Sequence, residues 1–211
     1  MAYELYIGKM RSILEINKVY QKNFSNEKNS DNSNFIIVDA NGARFGAVIQ
    51  MNNNLRQLLD WSQSDVRHNR IENFMPDMIR EKHNEFMLRY NKTGQSFIIN
   101  NKTTMFLKKA NGFVIAVELY IKFHYSIDYD YTFLAIVNPF YEISPFTNGI
   151  KYNTDQLMFF LVDNSQGSIS EFSESCKKIL KFRKIDQQDG IAKNISDFII
   201  DFDFNQFKRT R

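Results

Sequence analysis

Cysteine and tryptophan are nearly missing from this chain, and long apolar runs are missing altogether. The 211 residues hold one Cys and one Trp. A lone cysteine, Cys176, rules out an intrachain disulfide framework and any zinc site built on cysteine, and it suits a reducing compartment. No stretch approaches the about 18 consecutive apolar residues of a membrane span. The opening MAYELYIGKM lacks the basic-then-apolar order of a secretion signal. Neither sign of charge dominates: 27 Lys and Arg stand against 24 Asp and Glu, a net charge of +3. A nucleic-acid binder gathers its basic residues on one face. The local clusters here, Lys108/Lys109 and Lys208-Arg209-Arg211, read as a solvated turn and a solvated terminus. These absences describe a cytoplasmic segment with no nucleic-acid partner and no insertion into a membrane.

Enzyme signatures are missing too. There is no Walker lysine loop, no Gly-x-Ser-x-Gly, no His-Glu-x-x-His and no kinase His-Arg-Asp or Asp-Phe-Gly. His68 and His124 have no second ligand at metal spacing. Asp128 and Asp130 belong to ordinary hairpin chemistry. Asp201 and Asp203, in FIIDFDF, lack the further oxygens a hard cation needs. The reading is a protein without catalytic residues or a metal centre.

What is present supports a packed core. Apolar residues make up 43% and charged residues 24% of the chain, near globular averages, and 20 Phe with 10 Tyr make that core Phe-rich. Residues 3–23 carry apolar side chains at Ile7, Met10 and Leu14 and at Ile13, Ile16 and Tyr20, steps that predict an amphipathic helix. The polar run NFSNEKNSDNSN then reads as a linker. Phe35-Ile36-Ile37-Val38 predicts a strand, Asp39-Ala40-Asn41-Gly42 a turn, and Phe45 to Ile49 a returning strand. LRQLLDW reads as a short helix behind Asn52-Asn53-Asn54. A longer helix is bounded by Pro76 and Gly94. Three strands follow, near 103–109, 113–125 and 131–138, the first two joined by the turn Ala110-Asn111-Gly112.

A repeat emerges at a shift of 124 residues. Phe35, Val38 and Asp39 fall on Phe159, Val162 and Asp163, and Ile71, Phe74 and Asp77 fall on Ile195, Phe198 and Asp201. A period this long marks two copies of one domain. The second copy lacks its closing meander, so the sequence is expected to be a piece of a longer chain. The expected organisation is 1–33 helix and linker, 34–139 first domain, 140–156 linker and 157–211 partial second domain.

The order strand, strand, short helices, three-stranded meander resembles the PAS family. The resemblance is carried by Asn73-Phe74-Met75-Pro76, His83-Asn84-Glu85-Phe86 and Tyr90-Asn91-Lys92-Thr93-Gly94. These are similar to the "MP…H…tG" signature of a subgroup that includes rhizobial oxygen-sensor kinases and protist tiny-macrocysts-type repeats. The resemblance implies an α+β fold: a five-stranded antiparallel sheet with short helices closing one face, and between them a small apolar pocket. It also implies a sensory module in signal transduction, with cytosolic copies in a membrane parent if the protist analogy holds. The alternating residues of 113–123 give an apolar face (Phe113, Ile115, Val117, Leu119, Ile121, Phe123) and a mixed face suited to docking or homodimer formation.

His83 shares a helical stripe with Ile79, Phe86 and Tyr90 and is expected to point inward. By resemblance to the oxygen sensors it is a candidate haem ligand. Thr103, beside Lys102, stands near where those sensors carry an arginine, and an inward histidine also fits a hydrogen-bonded core. The flavin-photosensor branch is closed, because no cysteine lies in the Arg67–Pro76 stretch; Cys176 reads as a small buried hydrophobe. The pocket candidates are Met75, His83, Phe86, Tyr90, Phe106 and Leu119. Two functional classes follow: a ligand-responsive signalling module, or a ligand-free domain for dimerisation and docking to other proteins.

Overall fold

In the computed structural model of the chain, residues 34–126, 129–143, 151–153, 157–163, 165–180 and 194–198 are described. The expected helix over 3–23, its polar linker and the Asp201/Asp203 run lie outside them.

Strand β1 is Phe35–Asp39 and β2 is Val48–Met51. The return strand therefore starts later than the sequence suggests. Asn41-Gly42 does not make a tight two-residue hairpin: Gly42–Arg44 forms a 3-10 turn, and Gly46 sits at φ +85, which only glycine adopts freely. Helix α1, Asn53–Leu58, starts where Asn52 accepts the Leu55 amide, and α2, Gln63–Arg67, starts at Ser62 in the same way. A 3-10 turn at Ile71–Phe74 leads through buried Pro76 to α3, Asp77–Thr93. The Pro76 carbonyl accepts from Ile79 and Arg80, and Gly94, at φ +66, ends the helix by donating to Tyr90 O. Strands β3 (Lys102–Lys108), β4 (Val114–Ser126) and β5 (Asp130–Pro139) form the meander.

These five strands make one sheet in the order β2-β1-β5-β4-β3. Strand β1 pairs antiparallel with β2 and with β5, where Phe35 faces Ile136 and Asp39 faces Thr132. The central strand β5 reads as a nearly unbroken apolar run because both its faces are covered: Thr132, Phe133, Leu134 and Ala135 are all buried. The fold is α+β, a five-stranded antiparallel sheet with its helices inserted between the second and third strands, as the resemblance implies.

Three further pieces follow. Strands β6 (Tyr141–Ile143) and β7 (Lys151–Asn153) pair with each other, as do β8 (Phe160–Val162) and β9 (Ile169–Phe172). Helix α4, Glu174–Leu180, and a 3-10 turn at Ile195–Asp197 complete the described chain. The residues group into two compact units. One comprises Met1–Glu72, Leu88–Thr103 and Glu118–Asn138; the other comprises Asn73–Met87, Thr104–Val117 and Pro139–Arg211.

Candidate functional site

In the first unit the interior is aromatic. The Tyr90 ring lies 6.1 Å from Phe123 and 5.8 Å from Phe133, and Phe123 in turn stacks on Tyr131 at 5.4 Å. Tyr125 meets Tyr131 edge-on at 5.4 Å. Edge-to-face and offset ring pairs of this kind add to plain burial. They form because Phe123 and Tyr125 share one face of β4, Tyr131 and Phe133 one face of β5, and Tyr90 ends the inward stripe of α3. Burial pushes the Tyr90 phenol above its ordinary value. The cluster grades from the buried Phe133 to Tyr125 and Tyr131, which reach solvent.

In the second unit polar groups converge on Glu171 of β9, which is only 4% exposed. One carboxylate oxygen accepts the Asp77 amide at 3.0 Å, and the other lies 2.7 Å from Lys108 Nζ. Lys108 also pairs with Asp77 at 3.0 Å, and Asp77 with Arg80 at 2.8 Å. Burial lowers the Lys108 pKa, but its hydrogen bonds to Glu171 and Asp77, with their charges, outweigh that, so the net shift is upward. Beside these groups Phe113 joins Ile169, Phe172, Cys176 and Ile195 in one apolar cluster, its ring 5.6 Å from Phe172. Cys176 is fully buried, donates to Phe159 O and lies 3.4 Å from the Ser173 hydroxyl; burial raises its pKa.

Of the six pocket candidates, Leu119 is buried, while His83, Met75 and Tyr90 are half-buried. Two stand elsewhere than expected. Phe86 is 47% exposed. At about 100° per residue it lies some 60° from His83 around the helix, whereas Met87, about 40° away on the other side, is the buried member of the stripe. Phe106 is one step out of phase on β3. The Lys109 amide donates to Phe113 O, which sets Leu107 opposite Ile115 and puts Phe106 on the other face. There its ring meets Phe159 at 5.5 Å. Met87, Phe123 and Phe133 were missed, although the four-residue step from His83 and the two-residue alternation through Leu119 both point to them. Nothing local in the sequence marks Glu171.

The described side chains do not fit a haem. A porphyrin against the sheet would need the space beside β4 and β5 that the Tyr90 ring fills in contact with Phe123 and Phe133. Among the described residues, no three His, Cys, Asp or Glu side chains gather as a metal site, and no helix is long and apolar enough to cross a membrane.

The sequence matches no family profile, and no curated protein matches it. Solved structures do resemble it. The PAS domain of an HTR-like protein from Haloarcula marismortui is 18% identical, with a TM-score of 0.41 over 61% of this chain and 98% of that one. A PAS domain from Desulfitobacterium hafniense is 12% identical, with a TM-score of 0.43 over 54% and 97%. The PAS domain of the fruit-fly ELK potassium channel is 13% identical, with a TM-score of 0.39 over 56% and 95%.

Proposed function

We propose that the chain is a non-catalytic sensory module of the PAS type, acting in signal transduction by changing which surface it presents to a protein partner. The observation that carries this reading is the aromatic cluster of Tyr90, Phe123, Phe133, Tyr131 and Tyr125, which runs from the sheet interior to solvent. A small apolar molecule that displaces the Tyr90 ring would remodel α3 and the exposed tyrosines together. It acts only through a difference in affinity between the two arrangements. The site residues are Tyr90 and Leu119 with Phe123 and Phe133, all within the first compact unit. The module works in the cytoplasm, self-associates, and is followed by the opening of a second module over 157–211.

The test is mass analysis of what the native full chain releases on denaturation. One equivalent of a small molecule, lost in Tyr90→Ala, supports the ligand-responsive reading. A clean native protein that binds no small molecule in a thermal-shift screen overturns it. The ligand-free docking domain then stands, and the packing of Tyr90 on Phe123 and Phe133 favours it, since that face is closed without a guest. Haemin titration is expected to give no Soret band that depends on His83.

A further inference from the structure

Strand β9 reaches the start of α3 through one side chain. The first amides of a helix have no partner inside it. The Asp77 amide finds one in Glu171 Oε2 at 3.0 Å. The carboxylate is taken out of water, so it needs a counter-charge, and Lys108 Nζ supplies it at 2.7 Å. Negative charge at this end of a helix is favourable in its own right. The same contact is reinforced by a parallel backbone bridge between Val114 and Ser173 and by Phe113 within the apolar cluster of β9 and α4. The arrangement is particular to this hairpin. Glu171 faces Leu161 across β8–β9, and at the matching place of β1–β2 the residue facing Ile37 is the exposed Gln50.

We propose that Glu171 couples the first turn of α3 to the β8–β9 segment, so that the two order and open together. Removing β9 strips the Asp77 amide of its acceptor and Lys108 of its buried partner in one step. Displacing the start of α3 leaves Glu171 buried with Oε2 stripped of the Asp77 amide and Lys108 alone to hold its charge. The β8–β9 segment is therefore a built-in readout of the first turn of α3. As a route for regulation this rests on the sensory reading above, because a ligand lying against α3 would act through it; the coupling itself needs no ligand.

The experiment uses the full chain without added ligand, with two measurements: hydrogen exchange of the Asp77 amide, and thiol labelling of Cys176, the one cysteine. In Glu171→Met, Asp77 exchange and Cys176 labelling are both expected to accelerate by about tenfold or more, while β5 amides keep their protection. Glu171→Gln keeps an acceptor but loses the charge, and it is expected to accelerate both by a smaller factor; it decides the matter if the Met variant unfolds β5 as well. Cys176 labelling that rises with no change at Asp77 overturns the proposal, as does an Asp77 amide unchanged in both variants. If coupling is found but no small molecule is ever released, the sensory reading fails and the coupling stands.

Discussion

The hairpins β1–β2 and β8–β9 use the same local chemistry and are stabilised in opposite ways. Both carry a register shift at matching positions, between Ile37 and Val38 and between Leu161 and Val162. In both, a side chain just past the second strand accepts an amide at the start of the first, from Phe35 to Asn52 at 3.1 Å and from Phe159, one residue ahead of β8, to Ser173 at 2.9 Å. In both, a glycine with positive φ has its carbonyl bonded by the first residue of a 3-10 turn, Gly46 by Ile71 and Gly167 by Ile195. The turns differ in length: Val38 pairs with Val48, ten positions on, and Val162 with Ile169, seven on. Beyond the hairpins the likeness ends. Strand β1 is zipped to β5 along its whole length, whereas β8–β9 is a two-stranded sheet closed by Phe113 from the β3–β4 turn. An isolated two-stranded hairpin is marginal in water. Identical local rules thus yield a sheet strand in one place and a tertiary dependant in the other.

The largest expected effect breaks that dependence. Phe113→Ala removes a buried ring and should cost about 3–5 kcal/mol, felt first in the β8–β9 segment and read as faster labelling of Cys176. Labelling at the wild-type rate would show that the hairpin closes its own core. Leu55→Ala in α1, the helix after the first hairpin, should cost about 2–5 kcal/mol, read instead as a lower urea midpoint of the five-stranded sheet.

Next come the glycines. At Gly46 an added Cβ would stand 3.0 Å from Arg70 and 3.1 Å from Glu72, and at Gly167 3.1 Å from Asn194. With the positive φ, each Gly→Ala change should cost about 1–2 kcal/mol. Similar losses by denaturant titration sharpen the likeness of the hairpins; a loss at one alone breaks it. Asn52→Ala removes the helix cap and the Phe35 acceptor together, and about 1 kcal/mol is expected from thermal unfolding.

The smallest effect lies on β4, in the sheet that only the first hairpin joins. Burial lowers the His124 pKa. The unfolded chain therefore binds this proton more readily, and stability is full above the ordinary value of about 6.5. It falls as pH drops below that value and levels off beneath the folded one. His124→Gln should flatten this acid-side slope in midpoints taken between pH 7 and pH 5.

The sheet was legible because its signals are local and periodic. The β-branched run at Phe35, the turn at Asn111-Gly112 and the apolar run of β5 fix strands whatever packs on them. Pro76 and Gly94 likewise bracket α3 within a residue of its ends. Two site residues were misjudged by phase alone: Phe86 is three positions from His83 and falls on the solvent side of the stripe, and Phe106 is one position from the buried Leu107. Glu171 was illegible for a different reason. A glutamate in SISEF reads as a solvated strand residue, and only the arrival of Lys108 and the Asp77 amide from distant parts of the chain explains its burial. The same holds for Phe113, which reads as the first residue of a long strand and serves as the centre of another segment's core.

Phe113 also bears on where this chain can be cut. The boundary written into the sequence falls near residue 139, after β5, but the ring at position 113 has its apolar partners, and the amine of Lys108 its buried partner Glu171, beyond it. A fragment ending there would present a bare aromatic knob on a hairpin tip, the kind of apolar patch that makes an excised domain stick to itself. Shortened versions should therefore run past Asp197, or replace Phe113 with a polar residue, if they are to stay in solution.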